Sequence, residues 1–102
     1  MDFSTTPHAH ATRYVKSLTI AAWCWDNGLT PEAFMALTEP EWNALAHRAV
    51  GKPASEETRR LTYCHLSIKE AWCAGHPDHP SSQRTVRDIE EIAADLTRKA
   101  PK

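Results

Sequence analysis

The sequence predicts an all-α fold: a compact single-domain bundle of about five helices. Three observations carry this expectation. Apolar residues recur at steps of three and four along most of the chain, and no window alternates apolar and polar residues over a strand's length. Helix start signals (Ser or Thr followed by Pro or Glu) and closing glycines punctuate the chain at regular intervals. The composition, 41% hydrophobic and 25% charged over 102 residues, is that of one ordinary globular domain.

Residues 1–11 read as a flexible tail, because Ser, Thr, Pro and His there show no periodicity. The first helix is expected from about Thr12 to Asn27, with Tyr14, Leu18, Ala21, Ala22 and Trp25 as its apolar face and Gly28 as its stop. Thr30-Pro31-Glu32 opens a short second helix carrying Phe34 and Leu37. Thr38 and Glu41 have the spacing of a capping box for a third, with Trp42, Leu45, Ala46 and Ala49 on one stripe and Gly51 at its end.

Ser55 starts the fourth helix, whose stripe reads Leu61, Cys64, Ile68, Ala71 and Trp72, and Gly75-His76-Pro77 ends it. After a proline-rich loop, Ser81 or Ser82 caps the fifth, with Val86, Ile89, Ile92, Ala93 and Leu96 in phase. The domain is expected to span residues 12–99, with a frayed end over 100–102. Trp42 and Trp72 sit in phase with the core stripes. Trp23 and Trp25 point about 200° apart on a helix, so one of them leaves the core as a candidate interface anchor.

Several function classes are disfavoured at this level. The longest apolar stretch, Ile20 to Trp25, is far too short to cross a membrane. The first residues have no secretory pattern, and no lipidation box is visible. Three cysteines, Cys24, Cys64 and Cys73, suit reduced thiols in the cytoplasm better than a disulfide framework. No phosphate-cradling glycine loop, nucleophile elbow or zinc-protease motif is present, so no enzymatic activity and no cofactor are expected. Cys73, His76 and His79 fall three apart, with Cys64 and His65 upstream. That is not a standard zinc spacing, and no metal is expected there.

One segment points to a binding function. Residues 44–66 read ALAHRAVGKPASEETRRLTYCHL: a helix of small residues ending at Gly51, then a helix opened by Ser55 with Thr58 three residues on. This resembles the bacterial and phage helix-turn-helix DNA-binding motif. The resemblance implies that Ser55, Thr58, Arg59 and Arg60 face DNA and that Lys52 contacts phosphate. A second segment, residues 71–90, resembles it through Ala71, Ala74, Gly75, Ser82, Thr85, Val86 and Ile89, and implies a similar role for Arg84 and Arg87. The first segment departs from the pattern in its longer turn with Pro53, in Arg59 at a usually apolar position, and in Glu56 and Glu57 where phosphate would approach.

The expectation from this resemblance is a small regulatory protein that binds double-stranded DNA as a monomer or homodimer. The charge balance, 12 Lys and Arg against 13 Asp and Glu, gives it no global basic field. The alternative is a protein-binding adaptor or inhibitor acting through an exposed Trp- and His-rich helical surface, with Trp23 and Trp25 as anchors. The two readings separate on geometry. The first requires the arginines to cluster on one face, and the second requires a contiguous exposed apolar patch.

Overall fold

The computed structural model describes residues 7–97. Five α-helices follow one another: α1 (Pro7–Asp26), α2 (Pro31–Met35), α3 (Glu39–Val50), α4 (Glu56–Gly75) and α5 (Ile89–Thr97). A 3-10 turn, Pro80–Ser82, lies between α4 and α5, and no strand occurs among the described residues. The fold is a single all-α domain. α1 begins at Pro7, five residues before the periodicity suggests. The rest of the expected tail and the end over 100–102 lie outside the described residues.

The local start and stop signals act as their chemistry dictates. The Ala33 N–H donates to Thr30 Oγ1 at 3.1 Å, capping α2. At α3 both halves of the capping box are made: Glu41 N–H to Thr38 Oγ1 at 3.4 Å, and Thr38 N–H to Glu41 Oε1 at 2.8 Å. Gly51 ends α3 with φ 72° and returns its N–H to His47 O. Ser55 Oγ accepts the Thr58 N–H at 3.2 Å and opens α4.

The two long helices, α1 and α4, form the main packed pair, with α3 against α1, α5 against α3, and α2 against α4. α1 and α4 run in the same sense. Arg13 pairs with Glu57 near their starts, Ser17 meets His65 midway, and Trp25 meets Lys69 near their ends. Ile20, Cys24, Leu29, Phe34, Leu45, Leu66 and Ile92 are fully enclosed. Trp42 joins them edge-on to Phe34, centroids 5.7 Å apart.

The fifth helix begins later than the Ser81 or Ser82 cap predicts. Ser82 Oγ instead donates to His76 O at 2.7 Å and to Cys73 O at 3.3 Å, so it closes the end of α4. Residues 83–88 are non-helical and are fastened instead to the α1–α2 corner by one backbone and one side-chain donor. The Arg87 N–H bonds Gly28 O at 3.0 Å, and the Arg84 guanidinium bonds Leu29 O at 3.0 Å. Asp88 then opens α5 by accepting the Glu90 N–H at 2.8 Å. Val86, placed in the core stripe by the sequence, is 58% exposed.

Candidate functional site

The apolar stripes that the sequence assigns to the core of α1 and α4 are in large part at the surface. On α1 the enclosed residues are Ser17, Ile20, Ala21, Cys24 and Trp25, whereas Tyr14, Val15, Leu18 and Ala22 are exposed. On α4 the enclosed residues are Thr58, Thr62, Leu66 and Cys73, whereas Cys64, Ile68, Ala71 and Trp72 are exposed. Hydroxyls could sit inside because each is satisfied locally. Ser17 Oγ donates to Tyr14 O at 2.7 Å, and Thr62 Oγ1 to Thr58 O at 2.7 Å. Both helices therefore carry a second apolar stripe, and because the helices are neighbours the two stripes meet.

Their junction is a groove of about 500 Å³ with walls of Leu18, Ala22, Ile68 and Trp72, and with His65 and Lys69 at its sides. A smaller apolar hollow of about 280 Å³ lies further toward the helix starts, between Arg13, Glu57, Arg60, Leu61 and Cys64. Ile68 is 68% exposed and Trp72 42%, which is unusual for such large apolar side chains so close together.

Polar contacts hold the groove in shape. His65 Nε2 lies 3.0 Å from Ser17 Oγ. The Ser17 proton is committed to the Tyr14 carbonyl, so His65 donates from Nε2. Tyr14 packs edge-on against the same imidazole at 5.2 Å. Burial pushes the His65 pKa below its ordinary value. The Ser–His pair is not arranged for nucleophilic attack, because Ser17 is fully enclosed and its proton points away from the imidazole.

Trp72 is braced by two histidines. His76 stacks on it at 4.0 Å with planes 9° apart, and His79 meets it edge-on at 4.8 Å. His76 Nδ1 donates to Trp72 O, whereas His79 Nδ1 accepts the Ser81 N–H. The surface thus contains a Trp and His cluster, but its indole is Trp72. Trp25 is buried, with its Nε1–H donating to Ser81 O at 2.9 Å, and Trp23 is half-buried against the core.

The residues implied by the helix-turn-helix resemblance are dispersed. Ser55, Lys52 and Arg60 are exposed around the start of α4, beside Glu56 and Glu57. Thr58 is fully enclosed. Arg59 turns inward, donating to Leu37 O at 2.6 Å and lying 5.8 Å from the Trp42 ring centre. Arg84 lies on Trp25, and Arg87 pairs with Glu91 and Asp95 at 3.1 and 3.7 Å. Arg84 and Arg87 belong to the non-helical segment before α5 and do not form one face with Arg59 and Arg60.

Cys24, Cys64 and Cys73 are free thiols, Cys64 exposed and the other two buried. Burial raises the Cys24 pKa and keeps the thiol protonated. Among the described residues no group of three His, Cys, Asp or Glu is placed to hold a metal ion, and no helix is long and apolar enough to cross a membrane. No protein-family model, curated protein or solved structure matches the chain.

Proposed function

We propose that this protein is a protein-binding adaptor or inhibitor that engages its partner along the α1/α4 seam. A single observation carries the reading: two apolar stripes, one per helix, are left without a covering element among the described residues and merge into one groove. A bracing network of Ser17, His65, His76 and His79 supports it, because a pre-formed surface loses little entropy on binding. The anchors are Leu18, Ile68 and Trp72 in place of Trp23 and Trp25. The free thiols suit work in the reducing cytoplasm. No catalytic role is assigned.

The test is affinity capture from the source cells with the wild-type chain, with Ile68→Glu, and with Met35→Glu as a surface control away from the seam. Proteins retained by wild type and Met35→Glu but lost with Ile68→Glu support the reading. A capture profile unchanged by Ile68→Glu overturns it.

A DNA-binding role is a second reading, resting on exposed Lys52, Ser55 and Arg60 at the start of α4. It predicts a gel shift with duplex DNA that weakens steeply between low and moderate salt and is reduced by Arg60→Ala. Absence of a shift at low salt excludes it.

A further inference from the structure

The charges bordering the seam specify what lies in it. Arg13 and Glu57 pair with each other across α1 and α4 and cancel. That leaves Arg60 beside the smaller hollow and Lys69 beside the main groove, neither with a carboxylate partner among the described residues. Lys69 is exposed, with its Nζ 5.2 Å from the Trp25 ring centre. The groove itself is lined by no carboxylate. The two cations are nine positions apart on α4, which is about 14 Å along the helix axis and about half a turn in phase, so they border the Ile68 and Trp72 stripe from opposite sides.

Taking the seam as the protein-binding surface, we infer that its occupant is an amphipathic helix from another protein, bearing flanking carboxylates about nine residues apart that meet Arg60 and Lys69. Shape and charge agree on this. Two helices running side by side leave a straight trough, and a third helix fills such a trough with apolar side chains at i, i+3, i+4 and i+7. Leu18, Ile68 and Trp72 present the complementary surface. A second copy of this chain is the poorer occupant. A two-fold interface sets the same patch against itself, so the cations of one copy face those of the other, and the carboxylate that lines the smaller hollow, Glu57, is already paired with Arg13.

The probes are three labelled peptides of about 18 residues, long enough for helix formation on the surface. They share one Leu/Ile stripe and differ only at two flanking positions nine residues apart, occupied by Glu, Gln or Lys. Fluorescence anisotropy against the full chain is expected to rank Glu tightest, about tenfold ahead of Gln, with Lys weakest. The double variant Arg60→Glu/Lys69→Glu reverses the order, and Ile68→Glu abolishes binding of all three.

Equal binding of the three peptides, lost with Ile68→Glu, overturns the acidic-helix inference and leaves the seam as a protein-binding surface. Failure of every peptide to bind overturns the inference as well, and the capture experiment then decides the seam's role independently. Sedimentation of the chain alone is expected to show a monomer at all concentrations. A dimer that Ile68→Glu dissociates overturns the inference in favour of a second copy.

Discussion

The Arg84 guanidinium lies 3.6 Å from the centre of the Trp25 ring while donating to the carbonyl of Leu29 and, at 3.5 Å, to that of Trp25 itself. One side chain thus fastens the segment before α5 to the end of α1, where helix carbonyls lack intrahelical partners. The Trp25 indole N–H reaches back to Ser81 O from the same place. Burial lowers the Arg84 pKa, and Glu70 opposes that shift, so the group remains a cation at neutral pH.

Arg84→Ala is therefore expected to cost about 2–4 kcal/mol, combining a partly desolvated cation–π contact with two charge-assisted hydrogen bonds. Arg84→Lys recovers less than half of the loss, because an ammonium cannot lie flat on the indole and reach two carbonyls together. Urea denaturation midpoints of the two variants check this. Equal midpoints for wild type and Arg84→Ala would show that the contact has no role in stability.

Gly28 and Gly51 both adopt the left-handed conformation, at φ 78° and 72°, yet they should respond differently to a methyl group. A Cβ on Gly51 meets nothing within 4 Å, so Gly51→Ala costs only the conformational strain of about 1–2 kcal/mol. A Cβ on Gly28 falls 2.2 Å from Thr85 O and 3.0 Å from Arg87 N. The segment before α5 would have to lift, breaking the Arg87 N–H bond to Gly28 O. Gly28→Ala is expected to lose at least about 2 kcal/mol more than Gly51→Ala in thermal unfolding. Similar losses for the two would mean that the segment before α5 does not hold this close approach.

The lowered His65 pKa has a definite sign in stability. The unfolded chain takes up the imidazole proton at its ordinary value, and the folded chain resists it, so the unfolded state binds more protons in the window between the two. Stability from this group is complete above pH about 6.5 and is lost as pH falls toward the lower folded value. The thermal midpoint of wild type should drop more steeply from pH 7 to pH 5 than that of His65→Gln. The Gln amide still reaches Ser17 and does not titrate. Parallel pH profiles would show that His65 does not carry the acid sensitivity.

How much of this was legible in the sequence depended on distance along the chain. Thr30, Thr38, Gly51 and Ser55 act within four residues of themselves, and each marks its boundary where the pattern places it. The α3 stripe was legible because that helix has only one apolar face, with Trp42, Leu45 and Ala46 enclosed. α1 and α4 each offer two. Choosing between them required knowing that Ser17, Thr58 and Thr62 can be buried with their hydroxyls satisfied by nearby partners. The useful signal was a surplus: more apolar stripe than one core contact needs. The pairing of Arg84 with Trp25 across 59 positions left no local trace at all.

That surplus makes a prediction about α4. Leu66 is fully enclosed, and its truncation to Ala is expected to cost about 2–5 kcal/mol, the range for deleting a core leucine. Ile68, two residues on and equally apolar, should become Ser with a change within about 0.5 kcal/mol. The reverse ranking would put the Leu61, Ile68 and Trp72 stripe back in the core and remove the proposed binding surface.

The start of α5 offers a final comparison between two hydroxylated or acidic candidates for its cap. Asp88 accepts the Glu90 N–H and leaves its own carbonyl to the Ile92 N–H, which places the helix origin there. Asp88→Ala should lose about 1 kcal/mol, with helical signal lost from residues 89–97. Ser82→Ala should instead loosen the end of α4, where its hydroxyl meets the carbonyls of Cys73 and His76. Amide exchange separates the two. Faster exchange confined to α5 in Asp88→Ala, and to the residues around Cys73 in Ser82→Ala, is the expected pattern. Fraying of α5 in Ser82→Ala would restore the earlier helix start and with it a helical setting for Arg84 and Arg87.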